Sequence, residues 1–184
     1  MKRRRSGCVT RICSVLLTVI LAVVLARAVV KRIFPMPYED EITAAAQQYQ
    51  LSPALLFALI KAESNFDANA TSAKGAKGLT QLMEKTAVWC AKKSGLPLTD
   101  IYNPAQNIAI GAYYLQYLMH MYNGEEACAI AAYNAGHSRV DTWLCDERYS
   151  ADGKQLSAIP FAETEQYVKK ITFYKKIYAW RMSQ

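Results

Sequence analysis

The chain has 184 residues, of which 52% are hydrophobic and 20% charged, with a formal net charge of +7. That length allows one well-buried core beside a short terminal segment and leaves little room for a second folded domain. Residues 1–34 hold eight basic side chains and no acidic one, leaving 14 basic against 15 acidic residues in the remainder, so the positive balance belongs to the terminus and the domain is expected to bind no nucleic acid.

Lys2, Arg3, Arg4, Arg5 and Arg11 precede an uncharged apolar run over residues 12–26, which Val29 and Val30 extend past Arg27. The 19 residues from 12 to 30 are about enough to cross a ~30 Å hydrocarbon layer. This favours a membrane anchor, with Arg27 reaching the outer interface by its long stem. Ala26-Arg27-Ala28 also fits the small-x-small pattern of a signal-peptidase site, which would give a secreted form instead. Either way the positive flank holds the N-terminus in the cytoplasm and places the rest outside. Residues 1–34 are therefore read as an anchor or signal segment, and residues 35–184 as one exported domain.

Cys8 and Cys13 fall in that segment, which leaves Cys90, Cys128 and Cys145. Three cysteines form at most one disulfide and show no paired metal-ligand spacing, so Cys90 and Cys128 read as small apolar helix residues. His120 and His137 are isolated, and neither a metal nor a cofactor is expected.

Phe34-Pro35-Met36-Pro37 is a stiff spacer. Residues 39–50 place Ile42, Ala45, Ala46 and Tyr49 at helical spacing. Ser52-Pro53 then reads as the cap and first turn of a second helix, apolar on most sides through Leu55, Leu56, Leu59 and Ile60, ending near Glu63. Residues 65–78 are polar, with Gly75 and Gly78, and predict a loop with at most an irregular hairpin. A helix over about 83–93 is closed by Gly95 and Pro97. Asn103-Pro104 caps a long helix through Ile108, Gly111, Leu115 and Leu118 to Asn123-Gly124, and Gly111 in its middle predicts close helix packing. Two shorter helices cover about 125–134 and 139–144. After a polar stretch over 145–159 with an Asp152-Gly153 turn, Pro160 precedes a last helix carrying Tyr167, Ile171, Tyr174 and Tyr178 on one face. No run alternates with period two, so the domain is predicted mainly α-helical.

Glu63 stands at the end of an apolar helix, where an unpaired charge costs several kcal/mol and the carboxyl pKa is driven up. A carboxyl still protonated near neutral pH can donate to a leaving oxygen. Position alone leaves open a solvated last turn.

Five blocks carry a resemblance: ESNF at 63–66, SAKGAKGLTQLM at 72–83, NIAIGAYYL at 107–115, AIAAYNAG at 129–136 and IPFAETEQYV at 159–168. In this order, across about residues 38–180, they resemble the SLT-type lytic transglycosylases, which share a lysozyme-like fold. The resemblance implies cleavage of the β-1,4 bond between N-acetylmuramic acid and N-acetylglucosamine in peptidoglycan strands, with a 1,6-anhydromuramoyl product. It implies that Glu63 acts first as acid and then as base, with the substrate's N-acetyl group in place of a second carboxylate. It further implies that Ser72 lies near that glutamate and the N-acetyl group, and that Gln81 and Met83 line the groove. Tyr133 is implied beside the reacting sugar, with Asn134 in the same substrate-binding block, whose following turn shapes the groove, and Glu163 and Tyr167 as groove residues on the last helix. Thr80, Glu84 and His137 depart from the usual methionine, proline and proline of these blocks. A monomer is expected.

Two other readings of the same residues stay open. One is a lysozyme-type hydrolase in which water attacks and Asp67 or Asp100 supplies a second acid. The other is a non-catalytic glycan-binding protein.

Overall fold

The computed structural model describes residues 3–184, and the side chains of Arg11 and of residues 13–184. Lys2 lies outside the described residues, as do the side chains of Arg3, Arg4, Arg5 and Cys8. The chain divides into two compact units, Met1–Pro35 and Met36–Gln184.

The first unit is one helix, α1 (Arg3–Ile33). Its stretch Cys13–Ile33 is long and apolar enough to cross a membrane, and its large apolar side chains from Val15 to Ile33 stand exposed, apart from a half-buried Val30.

The second unit is mainly α-helical. It comprises α2 (Glu39–Gln48), α3 (Pro53–Glu63), α4 (Glu84–Ser94), α5 (Pro104–Met121), α6 (Glu126–Ala135), α7 (His137–Leu144) and α8 (Ala162–Met182). A single antiparallel pair, β1 (Ala76–Lys77) and β2 (Leu82–Met83), joins Ala76 to Met83 and Lys77 to Leu82. The minimal hairpin expected within residues 65–78 is therefore present but reaches further, to Met83.

Helix α3 is the centre of the core. Residues 54–60 are all buried, which explains why its sequence shows no polar stripe: a helix surrounded on every side has no face to leave wet. It packs chiefly on α8, while α5 packs against α2, α4 and α6. Tyr178 of α8 is fully buried and stacks on Phe57 of α3, with ring centroids 5.3 Å apart. The tyrosine stripe of α8 thus supplies core as well as surface. Cys90 and Cys128 are buried and free, as their helical positions predict, and burial pushes the Cys90 thiol up to about 12.

Two local features gain detail in the structure. Ser52 stands at the start of α3, but its side chain makes no capping bond; its carbonyl accepts from the Leu55 and Leu56 amides instead. At Gly111 the nearest neighbour is the hairpin. A Cβ there would meet the Thr80 side chain at 2.5–2.6 Å, so the missing side chain makes room for the turn between β1 and β2 to sit on α5.

Candidate active site

The block at residues 63–66 is a helix ending built around one carboxylate. Glu63 is the last residue of α3. The Ser64 hydroxyl donates to the Ile60 carbonyl and accepts from the Phe66 amide at 3.1 Å. Asn65 and Phe66 both hold positive φ, 52° and 66°. That backbone is rare for a bulky residue and persists only where its surroundings enforce it. Here the Phe66 ring is buried, edge-on to Tyr178 at 6.3 Å and beside Phe57 at 6.2 Å. The chain therefore turns sharply after Glu63 and is pinned by an aromatic anchor three residues on.

Glu63 is partly buried. Tyr167, on α8, donates its phenolic hydrogen to Glu63 Oε1. Lys170, one turn further along α8, donates to the Ala62 carbonyl at 3.0 Å and adds a positive charge near the carboxyl. Burial raises the carboxyl pKa, while the Tyr167 bond and the Lys170 charge pull it down; burial wins, and the group sits at about 7. A carboxyl so poised exchanges a proton in either direction at neutral pH.

Tyr133, on α6, faces the same carboxyl electrostatically; burial, and then the Glu63 charge, hold its hydroxyl well above the usual tyrosine range. Its hydroxyl donates to the Thr80 carbonyl at 2.9 Å. Thr80 is fully buried, so its departure from the family pattern falls in the core and not on a sugar subsite. Its amide and hydroxyl donate to Asn107 Oδ1 at 2.8 and 2.7 Å. Asn107 Nδ2 in turn donates to the Lys77 and Ile101 carbonyls. Gly78 packs against the same amide: a Cβ there would fall 2.3 Å from Asn107 Nδ2. Asn107 is thus the node that ties the 77–80 turn to α5, and through Thr80 it fixes the acceptor of Tyr133. Asn107 opens the 107–115 block, and a polar residue among the apolar positions of that helix is the signal the sequence offers for it.

The remaining predicted residues divide. Met83 is 47% exposed and lines an open trough along α4. Ser72 is exposed, and its hydroxyl oxygen accepts from the Ala76 amide at 3.0 Å, which leaves its hydrogen available. Gln81 differs from expectation: its amide nitrogen donates to the Ala70 and Gly78 carbonyls, so it stitches the loop and offers only Oε1 outward. Asn134 accepts from the Thr164 hydroxyl at 2.8 Å, joining α6 to α8. Glu163 is exposed on the first turn of α8, where its charge complements the helix dipole; the groups acting on Glu63 are Tyr167 and Lys170. Lys170 and Thr164 were not singled out from sequence, because their roles appear only once α8 lies across α3 and α6.

Asp67 and Asp100 each accept from a backbone amide two residues ahead, of Asn69 and Tyr102, both at 2.9 Å. Among the described residues no group of three His, Cys, Asp or Glu side chains is gathered that could hold a metal ion.

A partly buried carboxyl delivered by a core helix, with a tyrosine from the last helix on it and a minimal hairpin beside it, is the arrangement of a lysozyme-like domain. The chain belongs to the Transglycosylase SLT domain family, which matches residues 40–156. It is 35% identical over 156 residues to the soluble lytic murein transglycosylase of Salmonella typhimurium, covering 82% of this chain and 24% of that protein. It is 29% identical over 165 residues to the membrane-bound lytic murein transglycosylase C of Edwardsiella ictaluri, covering 77% of this chain and 46% of the other. Among solved structures it is similar to an inactive variant of the lytic transglycosylase Slt from Pseudomonas aeruginosa, with a TM-score of 0.74 and 36% identity over 82% of this chain and 25% of that one. The chain thus spans about a quarter of the length of the soluble relatives. The family match ends at residue 156, ahead of α8 and Tyr167.

Proposed function

We propose that this chain is a peptidoglycan lytic transglycosylase with Glu63 as its acid and base. The observation that carries the reading is the Glu63 carboxyl itself, held at the end of a buried helix at about 7 with the Tyr167 hydroxyl on one oxygen. Its similarity to lytic murein transglycosylases supports peptidoglycan as the substrate.

Protonated Glu63 gives its hydrogen to the glycosidic oxygen, and the bond from that oxygen to the muramoyl C1 breaks. The N-acetyl group of the same sugar supports the positive charge left on C1. Glu63, now a carboxylate, takes the hydrogen of the muramoyl C6 hydroxyl, and O6 closes on C1 to give the 1,6-anhydro ring. Each proton lost by Glu63 is recovered, so the cycle needs neither water nor a second carboxylate. Tyr167 holds the carboxyl and stabilises its anionic interval. Tyr133, fixed on the Thr80 carbonyl, walls the site, and Met83 and Ser72 face the strand.

The hydrolase reading needs a second acid, and both candidates, Asp67 and Asp100, are engaged in shaping their own turns. In this reading α1 anchors the enzyme in the cell membrane with the catalytic domain outside the cytoplasm; release by signal cleavage is the alternative. Fractionation of cells followed by N-terminal sequencing separates the two. The activity is tested by digesting purified peptidoglycan with the full-length chain and weighing the new ends. Anhydromuramoyl ends are expected; reducing muramic ends would establish hydrolysis, and intact strands that nonetheless bind would establish a non-catalytic protein.

A further inference from the structure

Helix α8 has an outer face, opposite the one that packs on α3. Ile171 and Tyr178 are buried on the inner side. On the outer side Lys169, Phe173, Lys176 and Trp180 follow one another at steps of four, three and four residues. At about 3.6 residues per turn those steps gather them within about 60° of arc, along a stripe about 16 Å long. All four side chains are exposed, Phe173 at 59% and Trp180 at 40%. The helix therefore holds two large rings in water, each beside a lysine.

The charge along this end of the chain is one-sided. Residues 166–184 hold five basic side chains and no acidic one, although the domain as a whole is close to neutral. Two of the five are committed inward: Lys170 donates to the Ala62 carbonyl, and Lys175 pairs with Glu126 at 2.6 Å. Lys169 pairs with Glu165 at 2.6 Å, an exposed contact of small net strength. Lys176 takes part in no ion pair among the described residues.

What meets such a face is decided by where the chain is held. Helix α1 ends at Ile33 and α2 begins at Glu39. The five residues between them, two of them proline, reach about 17 Å at full extension. With α1 in a bilayer, the domain stays within that distance of the lipid surface, and even a weak surface attraction becomes an intramolecular one. Aromatic rings suit the headgroup boundary, and lysines beside them extend their stems past the rings to the charged layer. The ammonium groups select anionic headgroups. We propose that the outer face of α8 is a second membrane contact, which lays the catalytic domain on an anionic lipid surface. The inference rests on the membrane-anchor reading of α1 and goes beyond it, by naming the side of the domain that meets lipid. Tyr167, which holds Glu63, projects from the far side of the same helix, so docking keeps the carboxyl turned away from the bilayer.

The test uses the full-length chain reconstituted into vesicles whose acyl chains carry bromine, which quenches tryptophan on contact. The chain has three tryptophans, none of them in α1, and Trp180→Phe isolates the Trp180 signal by difference. In phosphatidylglycerol-rich vesicles Trp180 is expected to be quenched, and less so in pure phosphatidylcholine, with the difference shrinking as salt rises. Lys169→Gln together with Lys176→Gln should lower the ratio of docked to undocked protein by about 5-fold to 25-fold, at about fivefold for each lysine near an anionic surface. Phe173→Ser should weaken quenching in both lipids, and Lys93→Gln, exposed on α4, should leave it unchanged. All these positions are exposed, so the variants keep the parent's melting temperature. Trp180 left unquenched in phosphatidylglycerol, or quenching equal in both lipids and indifferent to the lysines, overturns the proposal. An alkaline carbonate wash of a parallel sample reads the anchor separately. A chain that stays with the vesicles while Trp180 remains unquenched keeps the anchor and sinks the α8 contact; a chain quenched beforehand but stripped by carbonate sinks the anchor and keeps the contact.

Discussion

Tyr167 donates its hydroxyl hydrogen to Glu63 across 104 residues of sequence, joining the last helix of the domain to the end of its central one. That bond favours the ionised carboxyl, burial favours the neutral one, and the balance near pH 7 is what makes Glu63 usable in both directions.

Replacing Glu63 by Gln keeps the shape of the site and removes the proton. Turnover of peptidoglycan is expected to fall at least ~100-fold, the scale of a general acid–base contribution, with strand binding retained; release of anhydromuramoyl ends over time is the readout. The same variant has a stability signature. The folded protein holds the Glu63 proton to about pH 7, whereas an ordinary glutamate loses it near 4.5. Between those values the folded state binds more protons than the unfolded one, so this residue's contribution to stability falls as pH rises through that window. It amounts to on the order of 3 kcal/mol once pH exceeds 7. Glu63→Gln should therefore gain thermal stability relative to wild type at pH 8 and lose that advantage below pH 4.5. Parallel melting curves at every pH would contradict this.

Tyr167→Phe removes the donor that stabilises the carboxylate. The alkaline limb of kcat/KM, which reports loss of the Glu63 proton, should move to higher pH. The rate at the optimum should drop about tenfold or more, as expected for a lost hydrogen bond to a charged group. A rate profile shifted toward acid would mean that Tyr167 acts on another group.

The 77–80 turn offers a test away from the carboxyl. Gly111→Ala would ordinarily strengthen a helix by about 1 kcal/mol, but its methyl group would land against Thr80. The expected outcome is a net loss of about 2 kcal/mol from overpacking, read from urea midpoints. Asn107→Ala, which removes four side-chain hydrogen bonds, three of them to the turn, should lose about 3 kcal/mol. Both should lower turnover beyond the stability effect, because the Thr80 carbonyl that fixes Tyr133 is displaced.

Chelators should leave turnover unchanged, since the proposed cycle draws its proton chemistry from a carboxyl and routes no step through a metal. Thiol reductants should leave the melting temperature unchanged, because Cys90 and Cys128 are buried free thiols and Cys145 is free as well. Loss of activity in EDTA that added divalent ions restore would require a different mechanism.

The helices of the domain were legible because their punctuation is strong. Ser52-Pro53, Asn103-Pro104 and Gly95 mark boundaries that the structure keeps within a residue or two, and the all-apolar stretch before Glu63 becomes the buried α3. The position of Glu63 at its end was readable on the same grounds. What periodicity does not carry is long-range pairing. Nothing around Thr80 announces that its small side chain faces Gly111 or that its carbonyl receives Tyr133. A polar Gln81 looks outward in sequence, yet with φ at 47° its amide folds back over the loop. Glu163 and Tyr167 read alike as groove residues; only the crossing of α8 over α3 separates the exposed one from the one that touches the carboxyl.

Lys170 and Tyr167 both reach the last turn of α3 from α8, one holding the Ala62 carbonyl and the other the Glu63 oxygen. During synthesis the ribosome delivers α3 about a hundred residues before either partner. A nascent chain thus carries Glu63 early, while the two groups that set its proton affinity arrive last.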